Sequence, residues 1–152
     1  MTRRIAIPSL LASLLYLIPS GITHADWPQF QGPNRSGHSL ELGLLDKWPE
    51  NGPPLTWTFR ESGVGYSSPA VVGDRLLVTG ARGDEEHLIC LDSLTGDELW
   101  SLHMGAKFDF EGNSWGGGPR ATPCIFQPAD ANTYYVAALG GRGRLICANL
   151  AD

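Results

Sequence analysis

The sequence is short of positive charge and of the residues that build metal or disulfide frameworks. It carries 11 Lys and Arg against 16 Asp and Glu in 152 residues. This acidic balance argues against a nucleic-acid partner, because phosphate binding depends on clustered Lys and Arg. Three cysteines are an odd number and form no disulfide scaffold, although one disulfide with a leftover thiol stays open. The four histidines lack metal-ligand spacing, so no zinc site is predicted.

Long stretches of helical periodicity are also missing. The apolar runs are short, rich in β-branched or aromatic residues, and bounded by Gly, Pro, Asn and Asp, which is typical of strands. Nineteen glycines and eleven prolines supply the residues that turns require. The sequence therefore predicts an all-β fold of short strands joined by tight turns, in a chain long enough for one core.

The first 25 residues have the pattern of a signal peptide. Arg3 and Arg4 precede the mostly apolar run 5–18, and residues 23–25 offer a small-residue cleavage site before Asp26. That run has 14 residues, whereas a membrane span needs about 20, so we expect cleavage rather than a membrane anchor. Cleavage would leave nine Lys and Arg against 16 acidic residues, a net charge of −7. We expect an exported protein.

One motif occurs twice. LICLDSLTGDELW begins at Leu88, and RLICANLAD begins at Arg144. Pro123 follows Pro69 after 54 residues, and Cys147 follows Cys90 after 57. The predicted strands around the motif recur in one order: 67–72, 75–80 and 87–92, then 121–126, 133–139 and 144–149. Without its insertions the unit is near 40 residues, the length of a four-stranded propeller blade.

The first copy of the motif contains a specific turn. Asp92 can accept hydrogen bonds from the backbone that follows it, and Thr95 offers a second oxygen. Gly96 supplies a positive φ at little steric cost. Trp100 then buries a large area against a neighbouring blade. We expect the cysteines of both LIC runs to be small buried hydrophobes, and we interpret ARGDEE (81–86) as a charged hairpin turn.

These residues resemble the PQQ-like (pyrroloquinoline-quinone-like) β-propeller repeat family. DWPQFQGPNRSG, YSSPAVV and GPRATP are similar to segments of its exported bacterial members. This likeness implies a periplasmic or extracellular protein of a Gram-negative-type bacterium. The residues that match the repeat motif are Trp57, Pro69, Asp92, Thr95, Gly96, Trp100 and Pro123. The resemblance implies a partial β-propeller of four-stranded antiparallel blades. It divides the chain into a signal peptide (1–25), an irregular segment (26–54) and the propeller (55–152), which holds a final strand, one full blade (67–103) and most of a second (121–150).

The second copy departs from the family pattern. It reads Cys147-Ala148-Asn149-Leu150 where the first reads Cys-Leu-Asp-Ser, and the sequence stops before a Thr-Gly turn or a tryptophan. Propellers have four to eight blades. We therefore expect an N-terminal piece of a longer protein. We also expect the isolated chain to self-associate through open sheet edges and an apolar blade face.

The resemblance implies a non-catalytic binding or scaffold module with protein partners. The family's propeller lipoprotein of the outer-membrane barrel assembly machinery is such a scaffold. The alternative is the N-terminal part of a quinoprotein dehydrogenase, an oxidoreductase that uses PQQ and calcium. Dehydrogenase members use a carboxylate base, a calcium ion, a tryptophan floor and often a vicinal cysteine pair, and this sequence has no Cys-Cys.

One loop alone has residue types suited to a cofactor. Two carboxylates and an amide there could hold Ca²⁺ through oxygen ligands, although their spacing matches no calcium loop. Residues 116–118 could offer backbone N–H groups to an anion, but they lack a GK[ST] ending. A solvated glycine-rich loop is the interpretation we favour, and we predict no catalytic residue and no metal ligand. The weak cofactor candidates are Asp109, Glu111, Asn113, Trp115 and Arg120.

Overall fold

The computed structural model describes residues 26–110 and 112–151. Within these residues there is no α-helix, and the all-β prediction is confirmed. No helix of the described part is long and apolar enough to cross a membrane. The predicted signal peptide lies outside the described residues, as does Glu111.

The described strands form two antiparallel sheets. Sheet A has the order β1-β2-β3-β4 and sheet B the order β5-β6-β7. Within the described residues the two sheets do not close into a ring. Sheet A consists of β1 (Ala70–Val72), β2 (Arg75–Arg82), β3 (Glu85–Asp92) and β4 (Glu98–Ala106), and sheet B of β5 (Cys124–Phe126), β6 (Tyr135–Leu139) and β7 (Leu145–Asn149).

Two short glycine-containing turns connect the first three strands. Gly73 (φ 56°) lies between β1 and β2, and Gly83 (φ 61°) between β2 and β3. Two-residue loops with positive φ match the twist of antiparallel hairpins. The predicted hairpin turn does lie within residues 81–86, but it is shorter than predicted, because Gly83 and Asp84 alone reverse the chain. Glu86 therefore belongs to β3.

The two sheets pack against each other around one core. Side chains alternate between the two faces of a strand, so Leu77, Leu88 and Cys90 share the face of sheet A that we call its front. The rear face of sheet B, which includes Val136 and Ala138, lies in the same core cluster. Trp100 and Ile146 pack against this cluster. The arrangement is head-to-tail: the front of one sheet meets the rear of the next.

Irregular segments attach to sheet A. Trp27 forms an isolated bridge with Val71, and Val64 with Ala81. Pro28 accepts a hydrogen bond from the Ile125 N–H at 2.8 Å, so the segment at residues 26–28 joins the first strands of both sheets. Residues 55–60, predicted as a strand, belong to no described strand. Their alternating pattern lacks a neighbouring backbone with which to form a ladder.

Candidate binding surface on the second sheet

The turn after β3 is built by one carboxylate. Asp92 Oδ1 accepts hydrogen bonds from the N–H groups of Leu94 at 2.8 Å and Thr95 at 3.0 Å. These bonds, that of Thr95 first, hold the pKa of Asp92 below its ordinary value of 3.8. Thr95 Oγ1 accepts a hydrogen bond from the Asp97 N–H, and Gly96 has a φ of 80°. Asp92, Thr95 and Gly96 therefore all contribute to this turn.

The end of β7 repeats this geometry. Asn149 Oδ1 accepts a hydrogen bond from the Ala151 N–H at 3.0 Å. The Leu150 N–H donates to the Tyr134 carbonyl at 2.9 Å, as the Ser93 N–H donates to the Asp74 carbonyl at 3.0 Å. The two sheets therefore share one local design, in which Asn149 corresponds to Asp92 and Leu150 to Ser93.

Two tryptophans occupy related but unequal positions. Trp57 Nε1 donates to the Ser93 carbonyl at 3.1 Å. Its ring lies so close to Gly96 that a Cβ on this glycine would come within 2.5 Å of the ring. Trp100 packs on the shared core, but its buried Nε1 has no hydrogen-bond partner among the described residues. Trp57 thus covers the turn after β3 and donates a hydrogen bond to its backbone. The Trp100 indole N–H has no acceptor among the described residues.

The prolines of the repeat show how the faces differ. Pro123 lies beside Ile125 on the rear of sheet B and is fully buried against sheet A. Pro69 occupies the corresponding position on the rear of sheet A and is exposed. A repeated residue is therefore buried where a second sheet covers its face and exposed where none does.

The front face of sheet B is open and apolar. Leu145 is 68% exposed and Leu139 45% exposed. The rings of Phe126 and Tyr135 stack at 6.1 Å between centroids on the same face. The side chains that alternation places on this face carry no charge; they are Cys124, Phe126, Tyr135, Ala137, Leu139, Leu145, Cys147 and Asn149.

The cysteines of the two LIC runs have opposite environments. Cys90 is fully buried, and burial raises the pKa of its thiol from 9.0 to about 11. Cys147 is exposed, so the prediction that it is a buried hydrophobe was wrong. The cause is the neighbouring sheet: sheet B covers Cys90, and no described element covers Cys147. All three cysteines are free.

The loop with the weak cofactor candidates is held together internally. Asn113 Nδ2 and Arg120 Nη2 both donate to the Gly116 carbonyl, at 2.6 Å and 2.8 Å. The Arg120 guanidinium lies 4.8 Å from the centroid of the Tyr66 ring, in cation–π geometry. Both polar side chains thus serve the shape of the loop.

The other described candidates in this loop are Asp109 and Trp115. Asp109 Oδ1 accepts the N–H of the next residue, Phe110, at 2.9 Å. Trp115 is 73% exposed. The described part of the chain holds no group of three or more His, Cys, Asp or Glu side chains placed to bind a metal ion. Glu111 lies outside the described residues.

Sequence reasoning missed one buried carboxylate. Glu86 is 1% exposed, and its two oxygens accept hydrogen bonds from the N–H groups of Phe108 at 2.9 Å and Gly141 at 2.7 Å. It therefore fastens the β4–β5 loop and the β6–β7 hairpin to sheet A. Its signal in the sequence is alternation, because Glu86 shares the inward register of Leu88 and Cys90.

Comparison with known proteins identifies no relative. No protein-family model, no curated protein and no solved structure matches this chain.

Proposed function

We propose that the chain is a non-catalytic binding or scaffold module of an exported PQQ-like β-propeller protein, and that it binds protein partners through the front face of sheet B. One observation carries the proposal. Leu88 and Cys90 on the front of sheet A are 0% exposed beneath sheet B, whereas the corresponding Leu145 is 68% exposed and Cys147 is exposed. An uncovered apolar patch is a common mark of a protein-interaction site.

The occupant we assign to this face is the apolar face of another β-sheet. Sheet A already receives the rear of sheet B, whose contacts come from Val136, Ala138 and Ile146. Because the two sheets share strand order and turn design, the front of sheet B suits a rear face of the same kind. Sheets packed in this way lie about 10 Å apart with interdigitating side chains.

The propeller interpretation draws support from three features. Sheet A has four antiparallel strands in sequence order. The hydrogen bonds of the Asp92 turn recur at Asn149. The sheets pack head-to-tail rather than front-to-front. Consecutive blades of a propeller are arranged in this way around an axis.

Self-association of the full-length chain tests the binding face. On the rear of sheet A, Ile89 and Leu91 are already buried, whereas Val71 and Leu76 are only half-buried. A second copy therefore offers a matching rear face whose β1–β2 part is accessible. We expect oligomers that grow with concentration in sedimentation velocity. Leu145→Glu should raise the apparent dissociation constant at least tenfold, because it places a charge in the contact.

The matched control is Leu42→Glu, since Leu42 is 93% exposed and lies outside both sheets. This variant should associate like the wild type. A chain that remains monomeric up to about 100 μM, a concentration at which even weak contacts of about 5 kcal/mol are populated, would contradict the binding role. So would equal association of the two variants.

The non-catalytic part of the proposal has its own test. Equilibrium dialysis of the full-length chain with PQQ and Ca²⁺ should show no saturable uptake, because Asn113 and Arg120 are already bonded to the Gly116 carbonyl. Uptake of one equivalent of the quinone would instead support the quinoprotein dehydrogenase, an oxidoreductase.

A further inference from the structure

We infer that the edge of β7 that no other described strand pairs, called its open edge, is a strand-addition site: an extended segment of a protein partner pairs antiparallel with β7 and sets a large aromatic side chain opposite Cys147. The inference deepens the proposed function and depends on it, since it names the kind of segment that the binding module receives. The site is the edge of sheet B, whereas the sheet contact proposed above uses its face.

Hydrogen bonds to β6 alternate along β7, and this alternation shows which backbone groups of β7 could pair with a further strand. Gly140 donates to the Arg144 carbonyl at 2.8 Å, and Leu150 donates to the Tyr134 carbonyl at 2.9 Å. These bonds flank the β6–β7 ladder, and bonded positions alternate along an antiparallel pair. Even-numbered residues of β7 therefore bond to β6. The N–H and C=O groups of Leu145, Cys147 and Asn149 point towards the open edge.

In sheet A the corresponding strand edge, that of β3, is paired with β4. Leu88, Cys90 and Asp92 of β3 correspond to these three residues, and they face β4. There the Asp92 N–H donates to the Asp97 carbonyl at 2.9 Å. Cys90 lies opposite Trp100, and Leu88 opposite Leu102. The occupant of the β7 edge thus has a known template, namely β4.

The exposed fractions of corresponding side chains in the two sheets show what a paired strand and a covering sheet change. Leu88 and Cys90, beside β4 and beneath sheet B, are 0% exposed, while Leu145 is 68% exposed. An aromatic residue opposite Cys147 would lie on the front face of sheet B, as Trp100 lies on the front of sheet A. Strand addition therefore supplies three residues' worth of backbone hydrogen bonds and an aromatic cover for the apolar face.

A peptide with the sequence of residues 97–106 tests the inference on the full-length chain. The readout is the alkylation rate of each cysteine by iodoacetamide, followed by mass spectrometry. We expect saturable protection, with the Cys147 rate falling at least fivefold. Cys124 lies on β5, away from the β7 edge, so its rate should not change. Cys90 is buried and should stay unreactive throughout.

Two altered peptides are the controls. A peptide with Leu102→Pro lacks an N–H that would bond to the β7 edge, so it should give no protection. A peptide with Trp100→Ala keeps the backbone pairing but lacks the aromatic side chain, and at least tenfold more of it should be needed. Equal protection by the proline peptide would show non-specific apolar contact and overturn the inference.

One further outcome also overturns it, namely the absence of saturable protection at millimolar peptide. The peptide is titrated at a chain concentration at which sedimentation shows only the monomer, because self-association through the front face of sheet B would itself cover Cys147. The Leu145→Glu sedimentation result separates the proposals: if that variant loses association while the peptide does not bind, the face remains a binding surface and only strand addition fails.

Discussion

At the scale of single residues, one side-chain oxygen decides where the chain turns after β3 and after β7. Asp92 and Asn149 place the same atom, Oδ1, within 2.8–3.0 Å of the N–H two residues later. Because Asn149 is uncharged, the turn depends on the oxygen and its short side chain rather than on a carboxylate. The charge of Asp92 is therefore not required for this turn geometry.

Trp57 and Trp100 should respond differently to the same substitution. Trp57→Phe removes the hydrogen bond to the Ser93 carbonyl, whereas Trp100→Phe removes an N–H with no partner. We expect Trp57→Phe to lower the free energy of unfolding by about 1 kcal/mol more than Trp100→Phe. Urea unfolding followed by circular dichroism measures both. A larger loss for Trp100→Phe would contradict this order.

Glu86 is the residue whose removal should do most local damage. Glu86→Ala leaves the N–H groups of half-buried Phe108 and of Gly141 without their carboxylate acceptor, and we expect a loss of about 1–3 kcal/mol. Glu86→Gln keeps one acceptor oxygen and should lose about half as much. Hydrogen exchange at the two amides should accelerate most in the alanine variant. Glu85→Ala is the control: Glu85 is exposed, and its loss should stay within about 0.5 kcal/mol.

At the scale of elements, β2 and the segment at residues 62–64 approach too closely for side chains. A Cβ on Gly80 would lie 1.9 Å from the Ser62 carbonyl oxygen, and one on Gly63 would lie 2.0 Å from that of Ala81. Reciprocal hydrogen bonds between Val64 and Ala81, at 3.0 Å and 2.7 Å, hold this contact. The irregular N-terminal part is thus joined to sheet A by backbone packing.

Gly80→Ala should separate this segment from β2. We expect a loss of about 2–3 kcal/mol, because backbone rather than a flexible side chain must move. Exchange of the Val64 and Ala81 amides should speed up together. Gly83→Ala is the comparison, since an added Cβ there meets nothing within 4 Å and only the φ of 61° is strained, at about 1 kcal/mol. Equal losses of unfolding free energy in the two variants would mean that the missing Cβ of Gly80 is not what allows the close approach.

Strand positions were largely predictable, because they depend on local pattern. The runs around Leu88 and Ile146 alternate or are continuously apolar between turn residues, and both form strands. The Asp92–Gly96 turn was predictable for the same reason, since its hydrogen bonds lie within five residues. Glu86 was missed because adjacent acidic residues were interpreted as a turn, although two-residue loops need only Gly83 and Asp84.

Burial was less predictable, because it depends on what packs against a face. Cys90 and Cys147 have nearly the same neighbours in sequence, yet one is buried and the other exposed. Residues 55–60 alternate as a strand does, but pairing needs a second backbone alongside. The loop candidates Asn113 and Arg120 were also beyond local pattern, since their shared bond to the Gly116 carbonyl depends on how the loop closes.

At the scale of the whole molecule, stability should depend on pH through two carboxyl groups. Glu98 pairs with Arg82, and the hydrogen bond to Arg82 is the main reason that the pKa of Glu98 lies below its ordinary value of 4.5. Backbone hydrogen bonds lower the pKa of Asp92 from 3.8. The folded state therefore binds fewer protons than the unfolded state near these values.

The stabilisation is complete above about pH 5 and is lost as the pH falls through the lowered folded-state pKa values. We expect the urea midpoint to decrease steadily from pH 5 to pH 3. Glu98→Gln removes one of the two titrating groups and should flatten this decrease, with the two proteins converging at the acidic end. A midpoint that rises on acidification would contradict the assigned direction.

Head-to-tail packing gives the molecule a polarity, because its two terminal faces differ. The end at sheet A is partly covered by irregular chain, whereas the end at sheet B is bare. Adding one more sheet in the same sense would cover the bare end and expose an identical one. Such growth has no internal stopping point. It would stop only where the last front face met the first rear face or where a dissimilar surface capped the row.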